Sequence, residues 1–458
     1  MPDDRPASPT VRAERPNVIV FVADDLGWRD AGPYGHPSVQ TPNLDRLAAE
    51  GWTAERAFVT TPQCSPSRVA MLSGQEAHTL GAEDLHVPLP EDVRILPGHL
   101  AEAGYLTGGV RKMHLGPAGE AQFAWYRPEV SADAIAAFLT EAGDRPFFLW
   151  VGFSDPHRGY GSAPHVHAPD DVVLPPTVRD TPETRADYVQ YYDEIARLDG
   201  VVGATLDDLE RRGLAETTVV MFLSDNGAPM PRAKGTLYDA GVRTPLLVRG
   251  PGVAAGVRHE GLVSVLDLAP TVLEWAGVEA PASMRGRSLA ARLADPSLPG
   301  DAAVFAGRNW HNTDEHIRSV RTERWKLIWN NYTEHPHGSA SDITRSPTWQ
   351  ALRAGRDAGA LTPAQALVFR APRPRVELYD LLADPHELVN LAHDPALGDT
   401  VRVLYDRLQA WRAETADPAP TERRRDDTLD RVTGVKFWDV RTPPLLGEEE
   451  RRSGRMED

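Results

Sequence analysis

Cysteine is nearly absent from this sequence. The 458 residues contain a single one, Cys64, within the stretch TPQCSPSRVAMLSG. One cysteine cannot form a disulfide within the chain, and it cannot build a thiolate metal cluster. It is therefore either a buried apolar side chain or a reactive group. The flanking Pro62 and Pro66 and the small residues Ser65 and Ser67 do not fit a core strand or a core helix face, which favours the reactive group.

Long apolar runs are also missing. No segment approaches the ~18 consecutive apolar residues that a membrane-spanning helix needs. Residues 1–16, MPDDRPASPTVRAERP, have no apolar centre of the kind found in signal peptides. These two absences predict a cytoplasmic protein without a membrane partner.

Positive charge is in deficit. The chain has 49 lysines and arginines against 66 aspartates and glutamates, which gives a formal net charge of −17. Such a protein repels nucleic acid, so we expect no nucleic-acid partner. A long polyanion would be recruited poorly for the same reason. A small anion can still bind where basic groups converge, because the field of the whole chain is screened beyond ~10 Å. Any anionic substrate should therefore be short and cleaved from an exposed end.

Four short apolar runs have the composition of strands that are buried on both faces of a sheet. They are residues 17–25, 145–157, 218–227 and 244–252. Helical patterns lie between them, one from Thr41 to Gly51 and one over residues 184–213. This alternation predicts an α/β domain over residues 1–300, with a large, mixed, mostly parallel sheet sandwiched by helices.

The pattern changes after residue 300. Residues 317–330 and 375–392 indicate short antiparallel strands followed by a turn, and residues 399–415 indicate a helix. We therefore predict a smaller C-terminal α+β domain over residues 301–420, and a charged tail over residues 421–458.

Polar residues gather where the apolar runs end. The clusters are Asp24-Asp25, Asp225-Asn226, Asp155-Pro156-His157 and, after a weaker run, Lys112-Met113-His114. One such pair alone is typical of a turn. Four together indicate a site, because ligands of open α/β sheets bind beyond the carboxyl ends of the strands. Adjacent carboxylates repel unless a cation lies between them, and three carboxylates with one amide oxygen suit Ca²⁺ or Mg²⁺ better than zinc.

Cys64 fits the same edge of the sheet. The residues that follow it, SRVAMLSG, have helical character, so the cysteine should lie near a helix N-terminus. The unpaired amides there favour anions and predict a lowered pKa for the thiol. Arg68 lies one turn further on and should face the same side.

The segment Cys64-Ser65-Pro66-Ser67-Arg68 resembles the Cys-x-Pro-Ser-Arg signature of the sulfatases, and MLSG resembles the second part of that signature. Further similarity lies in residues 17–35, 111–116 and 224–252, which resemble the family's first metal strand, its Gly-Lys-x-His-x-Gly element and the segment with its last metal ligands. FSDPHRGYG and SPTWQALRAG are similar to the sulfamidase subfamily, the N-sulfoglucosamine sulfohydrolases. The resemblance implies an alkaline-phosphatase-like fold.

The resemblance also implies a modified cysteine. In sulfatases a separate formylglycine-generating enzyme oxidises this cysteine to formylglycine, an aldehyde that hydrates to a geminal diol. One hydroxyl attacks sulfur and displaces the leaving oxygen or nitrogen of the substrate; loss of the second hydroxyl's proton then re-forms the aldehyde and expels sulfate. The implied ligands of Ca²⁺, with Mg²⁺ as the alternative, are Asp24, Asp25, Asp225, Asn226 and the modified Cys64.

The remaining roles carried over from the family concern the diol, the sulfate and the protons. Arg68 would hold the diol, and Lys112, His114, His157 and Lys234 would bind sulfate and move protons. His157 is the candidate acid for the leaving group and His114 the candidate base, with the reverse assignment left open. We expect ordinary surface or pocket roles for His78, His86 and His311, and leave open whether residues 308–316 reach the pocket rim.

Two positions depart from the family pattern. Arg111 replaces the glycine that is common before the lysine, which puts the local backbone conformation in question. Lys234 stands where the sulfamidase pattern has arginine, and a lysine is a point charge whereas an arginine is a bidentate fork.

The sequence therefore predicts a sulfatase that acts on a sulfate ester or sulfamate of a small sulfated saccharide or related small molecule. One alternative is a phosphonate or phosphate diester hydrolase on the same scaffold, and another is a non-catalytic calcium-binding relative. A two-zinc phosphatase is disfavoured, because it would need a serine or threonine nucleophile and further ligands. The oligomeric state is left open.

Overall fold

The computed structural model of the chain describes residues 15–161, 163–421 and 423. The predicted tail at 421–458 lies outside the described residues except at positions 421 and 423. Within the described part of the chain, no helix combines the length and the apolar character that crossing a membrane requires.

A nine-stranded mixed sheet is the larger of the two sheets that the described residues form. Its strands are β1 (Asn17–Ala23), β2 (Trp52–Phe58), β3 (Leu106–Arg111), β4 (Trp125–Arg127), β5 (Phe147–Gly152), β6 (Thr218–Ser224), β7 (Arg243–Thr244), β8 (Leu246–Arg249) and β9 (Val257–Ser264). Their order is β4-β3-β5-β1-β6-β8-β2-β7, with β9 paired to β2. Strands β4, β3, β5, β1 and β6 are mutually parallel, whereas β8 runs antiparallel to both β6 and β2. The predicted mixed, mostly parallel sheet is confirmed.

Strand β1 is buried on both faces, as its apolar run predicts. Val20 is paired with Trp150 of β5 on one side and with Met221 of β6 on the other. The side chains of β1 alternate between two apolar cores, with Val18, Val20 and Val22 in one and Ile19, Phe21 and Ala23 in the other. This period of two follows from the pleat of the strand. Each face of the sheet therefore needs its own layer of helices.

Helices cover both faces of the large sheet. The α-helices are α1 (Pro42–Ala49), α2 (Cys64–Ser73), α3 (Leu96–Glu102), α4 (Pro117–Glu120), α5 (Ala132–Ala142), α6 (Pro182–Arg211), α7 (Asp239–Val242), α8 (Leu268–Trp275), α9 (Ala290–Ala294), α10 (Ser341–Thr344), α11 (Pro347–Asp357), α12 (Pro363–Ala366) and α13 (Gly398–Glu414). Helices α1, α5 and α6 contribute apolar residues to one core, and α2, α3 and α8 contribute to the other. The result is the predicted α/β sandwich.

A four-stranded antiparallel sheet forms the smaller C-terminal part. Its strands, in order, are β10 (Val304–Arg308), β11 (Ile317–Arg321), β12 (Trp325–Asn330) and β13 (Val376–Asp380). Helix α13 packs on it through Leu408 and Trp411, which share a core with Val320, Leu327 and Leu378. The predicted smaller α+β domain is confirmed, while the boundaries at 300/301 and 420/421 stay predictions.

The parallel part of the large sheet positions the site. Strands β3, β5, β1 and β6 are neighbours and run in the same direction. Their carboxyl ends therefore lie along one edge of the sheet. The four polar clusters found in the sequence follow these strands, so the topology gathers them at that edge.

Candidate active site

Two pairs of polar residues follow the adjacent strands β1 and β6. Asp24 and Asp25 come directly after β1, and Asp225 and Asn226 come directly after β6. The backbone ties the two strand ends together, because the amide of Asp225 donates to the carbonyl of Ala23 at 3.1 Å and the amide of Asp25 donates to Asp225 Oδ1 at 3.2 Å. All four side chains are buried.

Cys64 is the first residue of α2 and lies beside these carboxylates. The Cys64 sulfur and one carboxylate oxygen each from Asp24 and Asp225 all lie within 4.8 Å of one another. The structure thus brings the single cysteine to the acidic edge, although Arg68 of the same helix and Asp225 are 157 positions apart in sequence. Cys64 is 3% exposed.

The predicted lowering of the Cys64 pKa is wrong. Burial raises the pKa of the thiol well above its ordinary value, and the nearby charge of Asp24 adds to the rise. The charges of Lys234 and Lys112 oppose the rise in the thiol pKa without cancelling it. An unmodified Cys64 is therefore a neutral thiol and a poor nucleophile at this site.

Arg68 lies one turn into α2 and joins three of the strand ends. Its Nε donates to Asp225 Oδ2 at 2.8 Å, and its Nη1 donates to the backbone carbonyl of Lys112. Its Nη2 lies 4.0 Å from Asp24 Oδ1 and has no hydrogen-bond partner among the described residues. The guanidinium is fully buried, so these contacts fix its position.

Two lysines pair with the two adjacent aspartates. Lys112 Nζ donates to Asp24 Oδ2 at 2.6 Å, and Lys234 Nζ donates to Asp25 Oδ2 at 2.7 Å. Burial would raise the pKa of Asp24, but Lys112 and other nearby cations hold it well below its ordinary value. Burial raises the pKa of Asp225 to about 7, and the charges of Asp24 and Asp25 add to the rise while Arg68 opposes it.

His157 faces a carboxylate that the sequence did not single out. Its Nε2 lies 3.8 Å from Asp25 Oδ2 and 3.7 Å from Asp342 Oδ2. Lys234 Nζ also lies 3.4 Å from Asp342 Oδ2. Asp342 belongs to the short helix α10 of the C-terminal part, so that part of the chain completes the site. In the sequence, the only indication of a role for Asp342 is that it lies shortly before the segment SPTWQALRAG.

His114 contacts a second histidine. Its Nε2 lies 2.7 Å from Nδ1 of His86, and its Nδ1 is buried without a hydrogen-bond partner among the described residues. Burial lowers the pKa of His114 well below its ordinary value, and the charge of Lys112 lowers it further. Of the two roles expected for His86, surface or pocket, the contact with His114 favours the pocket role. His311 is also buried. Burial lowers the pKa of His311 well below its ordinary value, and the charge of Lys234 lowers it further.

Several residues of this region have a left-handed backbone. Their φ angles are 72° at Asp25, 65° at His86, 58° at Arg111 and 59° at His114. Such a conformation costs of order 1–3 kcal/mol for a non-glycine residue and is often found at functional sites. Arg111 therefore adopts the conformation that glycine would take most readily, so its replacement of glycine leaves this backbone geometry in place.

The segment at 308–316 does reach this region. The backbone carbonyl of Trp310 accepts a hydrogen bond from Gln63 Nε2 at 3.3 Å. Gln63 is the residue that precedes α2 and Cys64. The first strand of the smaller sheet thus leads directly into a segment that packs beside the start of α2.

The donor atoms at the acidic edge fit a hard divalent cation. Asp24 Oδ1 and Asn226 Oδ1 are both buried, and neither has a hydrogen-bond partner within the described ranges. Unpaired buried oxygens are costly unless a ligand satisfies them. Together with the carboxylates of Asp25 and Asp225 they form an all-oxygen set, which suits Ca²⁺ or Mg²⁺.

Comparison with known families agrees with this geometry. The family model described as Sulfatase matches residues 16–127 and 122–278, more than half of the chain. The chain belongs to the sulfatase family. A second model, described as N-sulphoglucosamine sulphohydrolase, C-terminal, matches residues 233–348 of this sulfatase. Membership makes the protein a sulfuric ester hydrolase, and it does not favour the phosphonate hydrolase or the non-catalytic alternative.

The similarity to curated sulfatases extends over most of the chain. Human N-sulphoglucosamine sulphohydrolase is 34% identical over 89% of this sulfatase and 92% of its own length. Human arylsulfatase A is 30% identical over 91% of this sulfatase and 92% of its own length. An ulvan-active sulfatase of Formosa agariphila is 29% identical over 89% of this sulfatase and 76% of its own length.

Solved structures share the fold. One, a complex of a protein with its substrate D-glucosamine-2-N,6-O-disulfate, has a TM-score of 0.69 at 20% identity and covers 89% of this sulfatase and 100% of that chain. Another, a 2-O glycosaminoglycan sulfatase, has a TM-score of 0.66 at 21% identity. It covers 88% of this sulfatase and 93% of that chain. The cytoplasmic location stays a prediction.

Proposed function

We propose that this sulfatase hydrolyses the sulfate ester or sulfamate of a small sulfated saccharide, using a formylglycine made from Cys64. The observation that carries the proposal is the meeting of the Cys64 sulfur with the Asp24 and Asp225 carboxylates within 4.8 Å. A separate formylglycine-generating enzyme is the partner that maturation requires.

The names of the relatives support a saccharide substrate. N-sulphoglucosamine sulphohydrolase is similar over 89% of the chain, and a structural neighbour was solved with a doubly sulfated glucosamine. The net charge of −17 favours short substrates over internal sites of long sulfated chains. A sulfated monosaccharide or short oligosaccharide satisfies both considerations.

A divalent cation, Ca²⁺ or alternatively Mg²⁺, is the proposed cofactor. Its ligands would be Asp24, Asp25, Asp225, Asn226 and the modified Cys64, and the unpaired oxygens of Asp24 and Asn226 support this assignment. The cation would neutralise sulfate oxygens and lower the pKa of the attacking hydroxyl.

The basic residues hold the sulfate group and the modified side chain. Lys112 and Lys234 supply two positive charges beside Asp24 and Asp25, where charge develops on the transferring group. Arg68, fixed by Asp225, has an Nη2 with no hydrogen-bond partner among the residues that the structure describes, and this nitrogen would hold a hydroxyl of the hydrated formylglycine. Arg68, Lys112 and Lys234 are already held by hydrogen bonds to carboxylates of the acidic edge, so little reorganisation should accompany the reaction.

The two histidines move the protons. A hydrated formylglycine supplies two hydroxyls, one to attack sulfur and one whose deprotonation releases sulfate as the aldehyde re-forms. His157 donates a proton to the oxygen or nitrogen that leaves sulfur, and its Nε2 lies 3.7 Å from Asp342 Oδ2. His114, which burial keeps neutral, accepts the proton of the second hydroxyl. Water would then restore the hydrate.

The test is co-expression with a formylglycine-generating enzyme followed by a substrate panel. The panel holds 4-nitrophenyl sulfate, an aryl phosphonate ester, N-sulfated glucosamine and glucosamine 6-sulfate, with Cys64→Ala as the control. We expect sulfate release by the matured protein and none by the variant. A preference for the phosphonate ester, or equal rates in the variant, contradicts the proposal.

A further inference from the structure

His86 lies against the proposed base but has no role in the reaction as described so far. His86 Nδ1 and His114 Nε2 are 2.7 Å apart, and the two ring centroids are 4.8 Å apart at an angle of 43°. The backbone amide of His86 donates to Ser65 Oγ at 2.8 Å, next to Cys64 in sequence. His86 is thus held at both its backbone and its ring in contact with the catalytic region.

This short contact must be a hydrogen bond in one of two directions. Each neutral imidazole carries one proton, on either Nδ1 or Nε2. If His86 donates, His114 holds its own proton on Nδ1. If His114 donates through Nε2, its Nδ1 carries a lone pair. The direction of this one bond therefore decides whether His114 Nδ1 carries a proton or a lone pair.

The surroundings of His114 Nδ1 favour the second direction. Nδ1 is buried and no described residue accepts or donates a hydrogen bond to it. A buried N–H without an acceptor is rarer and more costly than a buried lone pair that waits for a donor. Burial lowers the pKa of His114, Lys112 and Arg68 lower it further and Asp24 opposes them, so the ring is neutral and carries a single proton.

We propose that His86 is a positioning residue that accepts the Nε2 proton of His114 and so fixes His114 in the tautomer whose Nδ1 is a free base. One part of the inference rests on the proposed function: the proton that Nδ1 accepts is the proton of the second hydroxyl of the formylglycine hydrate. When Nδ1 accepts this proton, His114 becomes an imidazolium that donates to His86 from Nε2. No bond to His86 forms or breaks.

The backbone at His86 allows a sharp pair of variants. Its φ of 65° suits asparagine and glycine better than other residues. In His86→Asn, the side-chain oxygen can take the place of Nδ1 as acceptor for His114. In His86→Gly, the acceptor is lost while the backbone amide that donates to Ser65 is retained. The two variants therefore differ in whether His114 Nε2 has an acceptor, and both residue types tolerate the left-handed backbone at position 86.

The first readout is the tautomer itself, measured without turnover. In protein labelled with ¹⁵N-histidine, the His114 resonances are identified by their loss in His114→Ala. We expect a proton on Nε2 and none on Nδ1 in the wild type and in His86→Asn, and a tautomer mixture in His86→Gly. A proton on Nδ1 of wild-type His114, or a His86→Gly spectrum like the wild type, overturns the inference.

The second readout is pre-steady-state turnover of 4-nitrophenyl sulfate by matured protein. Partners that fix a histidine tautomer typically contribute ~10- to 100-fold. We expect His86→Gly to lower kcat by this factor with KM little changed, and to release nitrophenol in a burst ahead of sulfate, because the deprotonation step becomes slow. His86→Asn should retain most of kcat, and equal losses in both variants overturn the inference. If the wild type turns over no substrate, the proposed function fails while the tautomer measurement still decides the role of His86.

Discussion

Lys234 Nζ donates a hydrogen bond to Asp25 Oδ2 at 2.7 Å, although the two residues are 209 positions apart in sequence. Burial would lower the pKa of Lys234, but Asp25 and Asp342 raise it well above its ordinary value. Lys234 is therefore a permanent cation, 2% exposed, between the acidic edge and the C-terminal part of the chain. This is the position at which the sulfamidase pattern has arginine.

Loss of the Lys234 charge should slow the reaction strongly. We expect Lys234→Ala to lower kcat/KM for 4-nitrophenyl sulfate by ~10²- to 10³-fold, the usual effect of removing one group that stabilises developing charge. Lys234→Arg keeps the positive charge, so its kcat/KM should fall much less. The matched control is Asp399→Asn, which breaks the exposed ion pair with Arg402. A Lys234→Ala rate within a factor of about two of the wild type, with the fold intact, would count against the assignment.

Asp342 should matter to catalysis although it lies in the smaller part of the chain. Asp342→Asn removes the charge that faces both His157 and Lys234, so we expect kcat/KM to fall about tenfold, or ~1.4 kcal/mol in the barrier. The loss should be mainly in kcat, because Asp342 contacts two groups that act on the transition state, the proton donor His157 and the cation Lys234. Steady-state kinetics on N-sulfated glucosamine measures this. If Asp342→Asn behaves like the control Asp399→Asn, the carboxylate has no part in the reaction.

Calcium should stabilise the folded protein. A ligand that binds only the native state at 100 times its Kd adds about 2.7 kcal/mol to the free energy of unfolding. We expect the thermal midpoint of the chelator-treated protein to rise on addition of CaCl₂, and Asp24→Asn to reduce the rise. Asp207→Asn, an exposed acid paired with Arg46, is the control and should respond like the wild type. Equal responses in all three proteins would exclude Asp24 as a ligand.

Much of the fold and of the site could be predicted from local sequence. The apolar run of β1 predicts a strand buried on both faces, and the structure places it between β5 and β6. Parallel strands bring their carboxyl ends to one edge, so the polar pairs after β1 and β6 could be predicted to meet. The motif around Cys64 then identified the family.

The misses arise where position depends on tertiary packing. Asp342 lies in a four-residue helix with no pattern of its own, and only the docking of the smaller part of the chain places it beside Lys234, 108 residues away. His86 lies in an irregular segment, so no periodic sequence pattern could predict its contact with His114. The thiol pKa was misjudged because local helix geometry is visible in sequence whereas burial is not.

Substrate length should be limited by the net charge. With −17 overall, the protein should attract a long sulfated polymer poorly at low salt, whereas a sulfated monosaccharide is small enough to be captured by Lys112 and Lys234. We expect a higher kcat/KM per sulfate for N-sulfated glucosamine than for long heparan chains. Added salt should reduce the difference in kcat/KM between the two substrates, because it screens the repulsion between the acidic protein and the long sulfated chain. Equal rates on both substrates at low salt would show that the charge does not select substrate length.

The central claim is that Cys64, once converted to formylglycine beside the acidic edge, is the group that cleaves the sulfur bond. The most direct measurement combines the mass of the Cys64 peptide with sulfate release, over preparations that contain different fractions of converted protein. We predict that activity on 4-nitrophenyl sulfate rises in proportion to the converted fraction and extrapolates to zero when the thiol is fully retained. Activity in protein with an intact thiol, or none in fully converted protein loaded with calcium, would contradict the claim.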